Sequence, residues 1–197
     1  MSNLVEVAQQ ILSKRPRKDF KEIVVPSPKD DHLVSFETSL VYVNDSSKVV
    51  DAMDQLLLSN RLLGLDIETY PLPEYRTDKD AGLIPRKSRI RLLQIYDGLQ
   101  TVFVFDLLKI GGIQMLPEDL WRCTFIAHNA LFELKHLLHA GVTLQKIGCT
   151  LLADRILHGI RAKLKPGLGL SKSAGLRDLV KELFSIEISK KEQTSDW

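Results

Sequence analysis

The chain has 197 residues, 44% hydrophobic and 26% charged, with 27 basic against 25 acidic side chains and a net charge of +2. These proportions exclude disordered, collagen-like and disulfide-scaffold classes, and no apolar run approaches the roughly 18 residues of a bilayer-spanning helix. The charge is too balanced to demand an anionic partner, which leaves one soluble domain as the expectation.

Residues 1–37 read as an N-terminal appendage and linker. Leu4, Val7, Ala8, Ile11 and Leu12 recur at helical spacing. Pro16, inside the basic run Lys14 to Lys18, ends that helix. Glu6, Gln9 and Gln10 interrupt any secretory apolar segment. Cys123 and Cys149 lack the spacing of a zinc site, and two cysteines make no disulfide framework. A reducing, cytoplasmic setting with no membrane partner is therefore expected.

The compact domain is expected over 38–197. Leu40 to Val43 reads as a strand, and Asn44 to Ser47 offers a cap for a helix burying Val49, Val50, Met53, Leu56 and Leu57. Leu62 to Glu68 is a second strand that places two carboxylates at its end, before a long polar loop over 70–87. Arg89 to Tyr96 and Thr101 to Phe105 form a hairpin around Asp97-Gly98. Thr124 to Ala127 is a strand. A helix over 129–140 follows, with Leu131, Leu134, Leu137 and Leu138 inward and Gly141 as its C-cap. Thr150 to Leu157 is helical and 163–172 a loop. Ser173 caps a last helix, Leu176 to Phe184. Antiparallel strands first and strand–helix alternation afterwards predict an α/β domain with a mixed sheet.

Asp66 and Glu68 are two apart on a strand, so both carboxylates share a face while Ile67 points into the core. A hard divalent cation would relieve their repulsion; the alternative is that both side chains emerge into solvent. Glu133 sits one turn inside the helix that follows His128-Asn129. Asn129 could cap that helix. Glu133 and His136 have the Glu-x-x-His spacing of di-iron ligands, but no second pair accompanies them. His136 and His139 therefore read as surface or half-buried residues. Gly167 to Ser173 lacks the spacing of a phosphate loop.

Taken in order, Leu63 to Thr69, Arg91 to Ile95, His128 to Leu134, Cys149 to Leu157, Gly175 to Val180 and Gln193 to Trp197 resemble the DEDD superfamily of 3′–5′ exonucleases. The likeness is greatest to ribonuclease D and the proofreading domain of DNA polymerase I. It implies a ribonuclease H-like fold, a mixed sheet flanked by helices and shortened at the C-terminus. It also implies 3′–5′ hydrolysis of single-stranded DNA or RNA ends with two Mg²⁺ or Mn²⁺ ions. Asp66 would bridge both ions, Glu68 would bind one and orient the water, and Glu133 would hold the other through water. Thr69, His128, Asn129 and Phe132 would lie near the terminal nucleotide.

Two departures temper that implication. The family has aspartate where this chain has Glu133, and an extra methylene moves a carboxylate by about 1.5 Å, enough to cost roughly a hundredfold in rate. The third motif, with the last aspartate and a tyrosine or histidine, has no counterpart before Trp197. Asp154 reads as a salt-bridge residue rather than its substitute. The expectation is thus an impaired exonuclease domain, with a polymerase domain or further C-terminal segment as a possible partner. The alternative is a non-catalytic module that binds nucleic acid or a protein. In that case Arg86, Lys87, Arg89 and Arg91 are the candidate phosphate contacts.

Overall fold

The computed structural model describes residues 38–59, 62–164 and 175–188. The expected helix near 4–12, the basic run at 14–18, the Gly167 to Ser173 loop and the Gln193 to Trp197 segment lie outside them. Six strands, β1 (Ser39–Val43), β2 (Leu62–Pro71), β3 (Ser88–Tyr96), β4 (Thr101–Asp106), β5 (Thr124–Ala127) and β6 (Lys146–Cys149), make one sheet in the order β1-β4-β3-β2-β5-β6. Around it run helices α1 (Val49–Ser59), α2 (Leu107–Ile110), α3 (Leu131–His139), α4 (Thr150–Leu164) and α5 (Leu176–Phe184).

The sheet is mixed, as expected, but not in the simple order the sequence suggests. β2, β3 and β4 are antiparallel neighbours, and β5 and β6 continue in parallel from β2. β1, expected among the antiparallel strands, instead pairs in parallel with β4. β6 has no counterpart among the expected strands. Its four residues, Lys-Ile-Gly-Cys, carry too little alternation to announce themselves. Among the described residues, no helix is long and apolar enough to cross a membrane.

Burial follows side-chain period. Val49, Ala52, Met53 and Leu56 recur at i, i+3, i+4 and i+7 and are at most 4% exposed, whereas Val50, one step round the helix, is 65% exposed. Phe103, Phe105, Phe125, Leu63, Leu93 and Ile95 fill the sheet's buried side; each such side chain contributes roughly 1.5–3 kcal/mol. The helix expected to bury four leucines does otherwise. On α3 the inward residues are Glu133, His136 and Leu137, Leu134 is half-buried, and Leu131 and Leu138 are more than half exposed. α4 continues past Leu157 to Leu164, so the loop expected from 163 begins later. The N-cap position of α5 is Gly175, with no side-chain cap, and Ser173, the expected cap, lies outside the described residues.

The β3–β4 turn is held by one carboxylate. Asp97, 6% exposed, accepts from the backbone N–H groups of Leu99 (2.7 Å), Gln100 (2.9 Å) and Thr101 (3.0 Å), while Gly98 takes the positive φ of 77°. Burial opposes ionisation of Asp97, but those donors outweigh it and hold the carboxyl below its ordinary value. Removing it orphans three amides. Asp97→Ala is expected to destabilise the domain by about 2 kcal/mol, read as a lower urea midpoint with an unchanged slope.

Candidate active site

The first two carboxylates do not stand at a strand end. β2 runs on to Pro71, so Asp66 and Glu68 lie in its middle, on the face opposite the buried Ile67. The register then shifts. Glu68 lies opposite Leu92 but Thr69 opposite Ile90, which leaves Arg91 as the extra residue of a β-bulge. Bulges bend a strand and re-aim its side chains, and this one falls directly after the acidic pair. Desolvation raises the carboxyl of Asp66 above its ordinary value; Glu68 is raised by desolvation and by the charge of Asp66. The charge of Asp66 thus reaches Glu68 on the same face of the strand.

Glu133 reaches the same neighbourhood from α3. It is 2% exposed, and its Oε2 is buried with no hydrogen-bond partner. Desolvation pushes its carboxyl up to about 7; its own backbone N–H works in the opposite sense, and the nearby Asp66 charge adds to the rise. A buried carboxylate atom without a donor costs about 1–3 kcal/mol or more, so the position is poorly explained as packing. The donor chemistry, hard oxygens with mutual repulsion and one orphaned acceptor, fits a divalent cation. Among the described residues, however, no three His, Cys, Asp or Glu side chains converge closely enough to hold an ion. The acids sense one another but stay apart.

The other expected residues divide. Thr69 donates its hydroxyl to the Gly82 carbonyl at 2.8 Å, tying β2 to the loop over 72–87, which folds into three short 3-10 turns. His128 is half-buried with Nδ1 2.9 Å from the Thr150 hydroxyl; burial lowers its pKa, and the charge of Asp154 works in the opposite sense. Asn129 is exposed and does not cap α3 with its side chain. It turns the chain with a φ of 60°, a value tolerated best by Gly and Asn, and its carbonyl accepts from Phe132 N–H at 2.9 Å. The Phe132 ring lies 4.5 Å from the His136 ring.

Three features escaped the sequence. His136, expected near the surface, is 2% exposed. Its Nδ1 lies 3.0 Å from the Phe132 carbonyl, which can only accept, so Nδ1 carries a proton; Nε2 lies 3.2 Å from Ser88 Oγ. Asp154, expected as a salt-bridge residue, is buried, with 8% of its surface exposed. Cys149 directly precedes α4: burial opposes ionisation of its thiol, but the N–H groups of Leu152, Ala130, Leu151 and Asn129 lower its pKa. Its place just before a helix was the only sequence signal for that. Of the four candidate phosphate contacts, two are already neutralised: Lys87 pairs with Asp78 at 2.6 Å and Arg91 with Asp106 at 3.0 Å.

The family model described as "3'-5' exonuclease" matches residues 40–197. DNA polymerase I of Aquifex aeolicus (strain VF5) is 31% identical over 109 residues, 55% of this chain but only 17% of that protein's length. Among solved structures, the RNase D of Trypanosoma brucei in complex with GMP has a TM-score of 0.61 at 19% identity, covering 81% of this chain and 45% of that one. Brucella melitensis NrnC with bound Mg²⁺ has a TM-score of 0.50 at 23% identity, covering 82% and 65%. The likeness to both is one of fold, the ribonuclease H-like sheet seen above. Because the family model spans residues 40–197, nearly all of the described domain, the chain belongs to the 3′–5′ exonuclease family, of the DEDD type.

Proposed function

We propose that the domain removes nucleotides from the 3′ ends of single-stranded DNA or RNA with two divalent cations, and that it does so slowly. The observation that carries this is Glu133 Oε2, buried and without a donor beside the Asp66 charge. Asp66, Glu68 and Glu133 would hold the ions, of which Mg²⁺ and Mn²⁺ suit carboxylate oxygens. When bound, such ions lower the pKa of an attacking water and stabilise the leaving 3′-oxygen. Glu68, raised by burial and by Asp66, would orient the water. His128, Asn129 and Phe132, at the β5–α3 junction and the first turn of α3, would flank the terminal nucleotide. Thr69 would hold the strand beside it through Gly82. Slow turnover follows from the longer reach of Glu133, since displacement of a ligand by about an ångström can cost roughly a hundredfold. The likeness to DNA polymerase I suggests a polymerase as the wider context.

The test is trimming of 5′-labelled single-stranded DNA and RNA by the chain with Mn²⁺ or Mg²⁺. Slow shortening that Asp66→Ala abolishes, and that Glu133→Asp accelerates by up to roughly a hundredfold, is the expected result. Equal trimming by the parent and Asp66→Ala overturns it. Metal-free strand binding that survives Asp66→Ala and Glu68→Ala, without trimming by the parent, would instead mark a binding module.

A further inference from the structure

Beside the acidic cluster, and sharing its elements, lies an open cavity of about 530 Å³. Tyr70 contributes from β2, two residues past Glu68; Ser88 and Arg89 come from the facing start of β3. His136 and His139 come from α3, one and two turns past Glu133. Neither Asp66, Glu68 nor Glu133 lines it. Its size is that of a small-molecule site, which runs from roughly 300 to 1,000 Å³.

The charge pattern selects the ligand. No Asp or Glu lines the cavity among the described residues. Lys87 and Arg91, the cations on either side of Arg89, are neutralised by Asp78 and Asp106, whereas Arg89 has no acidic partner among the described residues. The end of α3 would repel an anion through its last carbonyls, but these are already engaged: Ala140, Gly141 and Val142 donate to His136, Leu138 and Leu137. Ile90, Leu107 and Ile113 give the lining an apolar part, and Tyr70 offers a ring for stacking. An unpaired guanidinium beside an apolar, aromatic hollow suits a phosphate monoester that carries a flat ring.

We propose that this cavity binds a nucleoside monophosphate, with Arg89 and His139 on the phosphate and Tyr70 against the base. The identity of the ligand rests on the exonuclease reading, because a 3′–5′ exonuclease releases that product. The site would then retain product next to the chemistry without occupying it.

Calorimetry of the full chain in EDTA, with AMP, dAMP and inorganic phosphate as probes, tests this apart from catalysis. Saturable binding of AMP or dAMP by about 1 mM, with phosphate at least tenfold weaker, is expected. Arg89→Ala should weaken it roughly tenfold to a hundredfold. Leu108→Trp, at an exposed position on the cavity wall, should block it, and Asp66→Asn should leave it intact. Unchanged thermal midpoints would show that both cavity variants fold. Three results would each overturn the proposal: absence of nucleotide binding, phosphate binding as tight as nucleotide, or binding lost in Asp66→Asn and kept in Arg89→Ala. None of these depends on whether the chain cleaves nucleic acid.

Discussion

Glu133→Gln raises the thermal midpoint at pH 8 and leaves it close to that of the parent at pH 4. The carboxyl has an ordinary value of 4.5 and is pushed up to about 7 in the fold by desolvation, which its own backbone N–H opposes and to which the Asp66 charge adds. The folded state thus holds a proton that the unfolded chain releases. The stability this confers is full below about 4.5, falls as pH rises from there, and is gone above about 7. At 1.36 kcal/mol per pH unit, the ionised form at pH 8 costs the fold roughly 3 kcal/mol. Glutamine keeps the shape and a neutral head, so it avoids that cost. The gain corresponds to roughly 6–12 °C for a domain of this size. Differential scanning calorimetry of both proteins across pH 4–8 measures it, and a parallel offset at every pH would refute the account. Added Mn²⁺ at pH 8 should close the gap by stabilising the parent more than the variant, because a ligand that binds only the folded state raises its midpoint.

Asp106→Ala is expected to be the most damaging single change away from the acidic cluster. Asp106 has no exposed surface, yet it is charged. Arg91 meets it in a fork, Nε to Oδ1 and Nη2 to Oδ2, both at 3.0 Å; Tyr42 donates to Oδ2 at 2.9 Å and the Lys109 N–H to Oδ1 at 3.3 Å. Burial opposes ionisation, but Arg91 and Tyr42 prevail and hold the carboxyl below 3.8. One side chain thus joins β1, β3, β4 and the cap of α2. Its removal leaves a partly exposed guanidinium, the Tyr42 hydroxyl and the Lys109 N–H without their acceptor, a change that should cost about 2–3 kcal/mol, and urea unfolding should show it. The pair's contribution is present above 3.8 and is lost as pH falls through the folded value. The deficit of Asp106→Asn relative to the parent should therefore shrink in acid.

Much of this molecule could be read from residue order. The hairpin, the helix beginning at Val49 and the shared face of Asp66 and Glu68 follow from periods of 2 and 3.6, which are local properties. What could not be read was set by partners distant in the chain. Leu131 and Leu138 look like core and are not, because the sheet meets the α3 stripe through Glu133, His136 and Leu137. His136 looks like surface and is buried because Ser88, 48 residues away, supplies its partner. Lys87 and Arg91 look available for phosphates until Asp78 and Asp106 are found beside them. The bulge at Arg91 breaks the alternation on which a strand reading depends, so nothing in the local pattern announces it.

The strand order also carries a kinetic consequence. β2, β3 and β4 are joined through neighbouring segments, with β3 and β4 linked by a short turn, so their pairings close small loops. β1 must wait: Ser39 pairs with Thr101, and no strand can add beside β4 until β4 exists. Loop closure over such a span is entropically costly before it is rewarded. The meander can therefore form before β1 docks beside β4, and Tyr42 reaching Asp106 ties the docked strand to it.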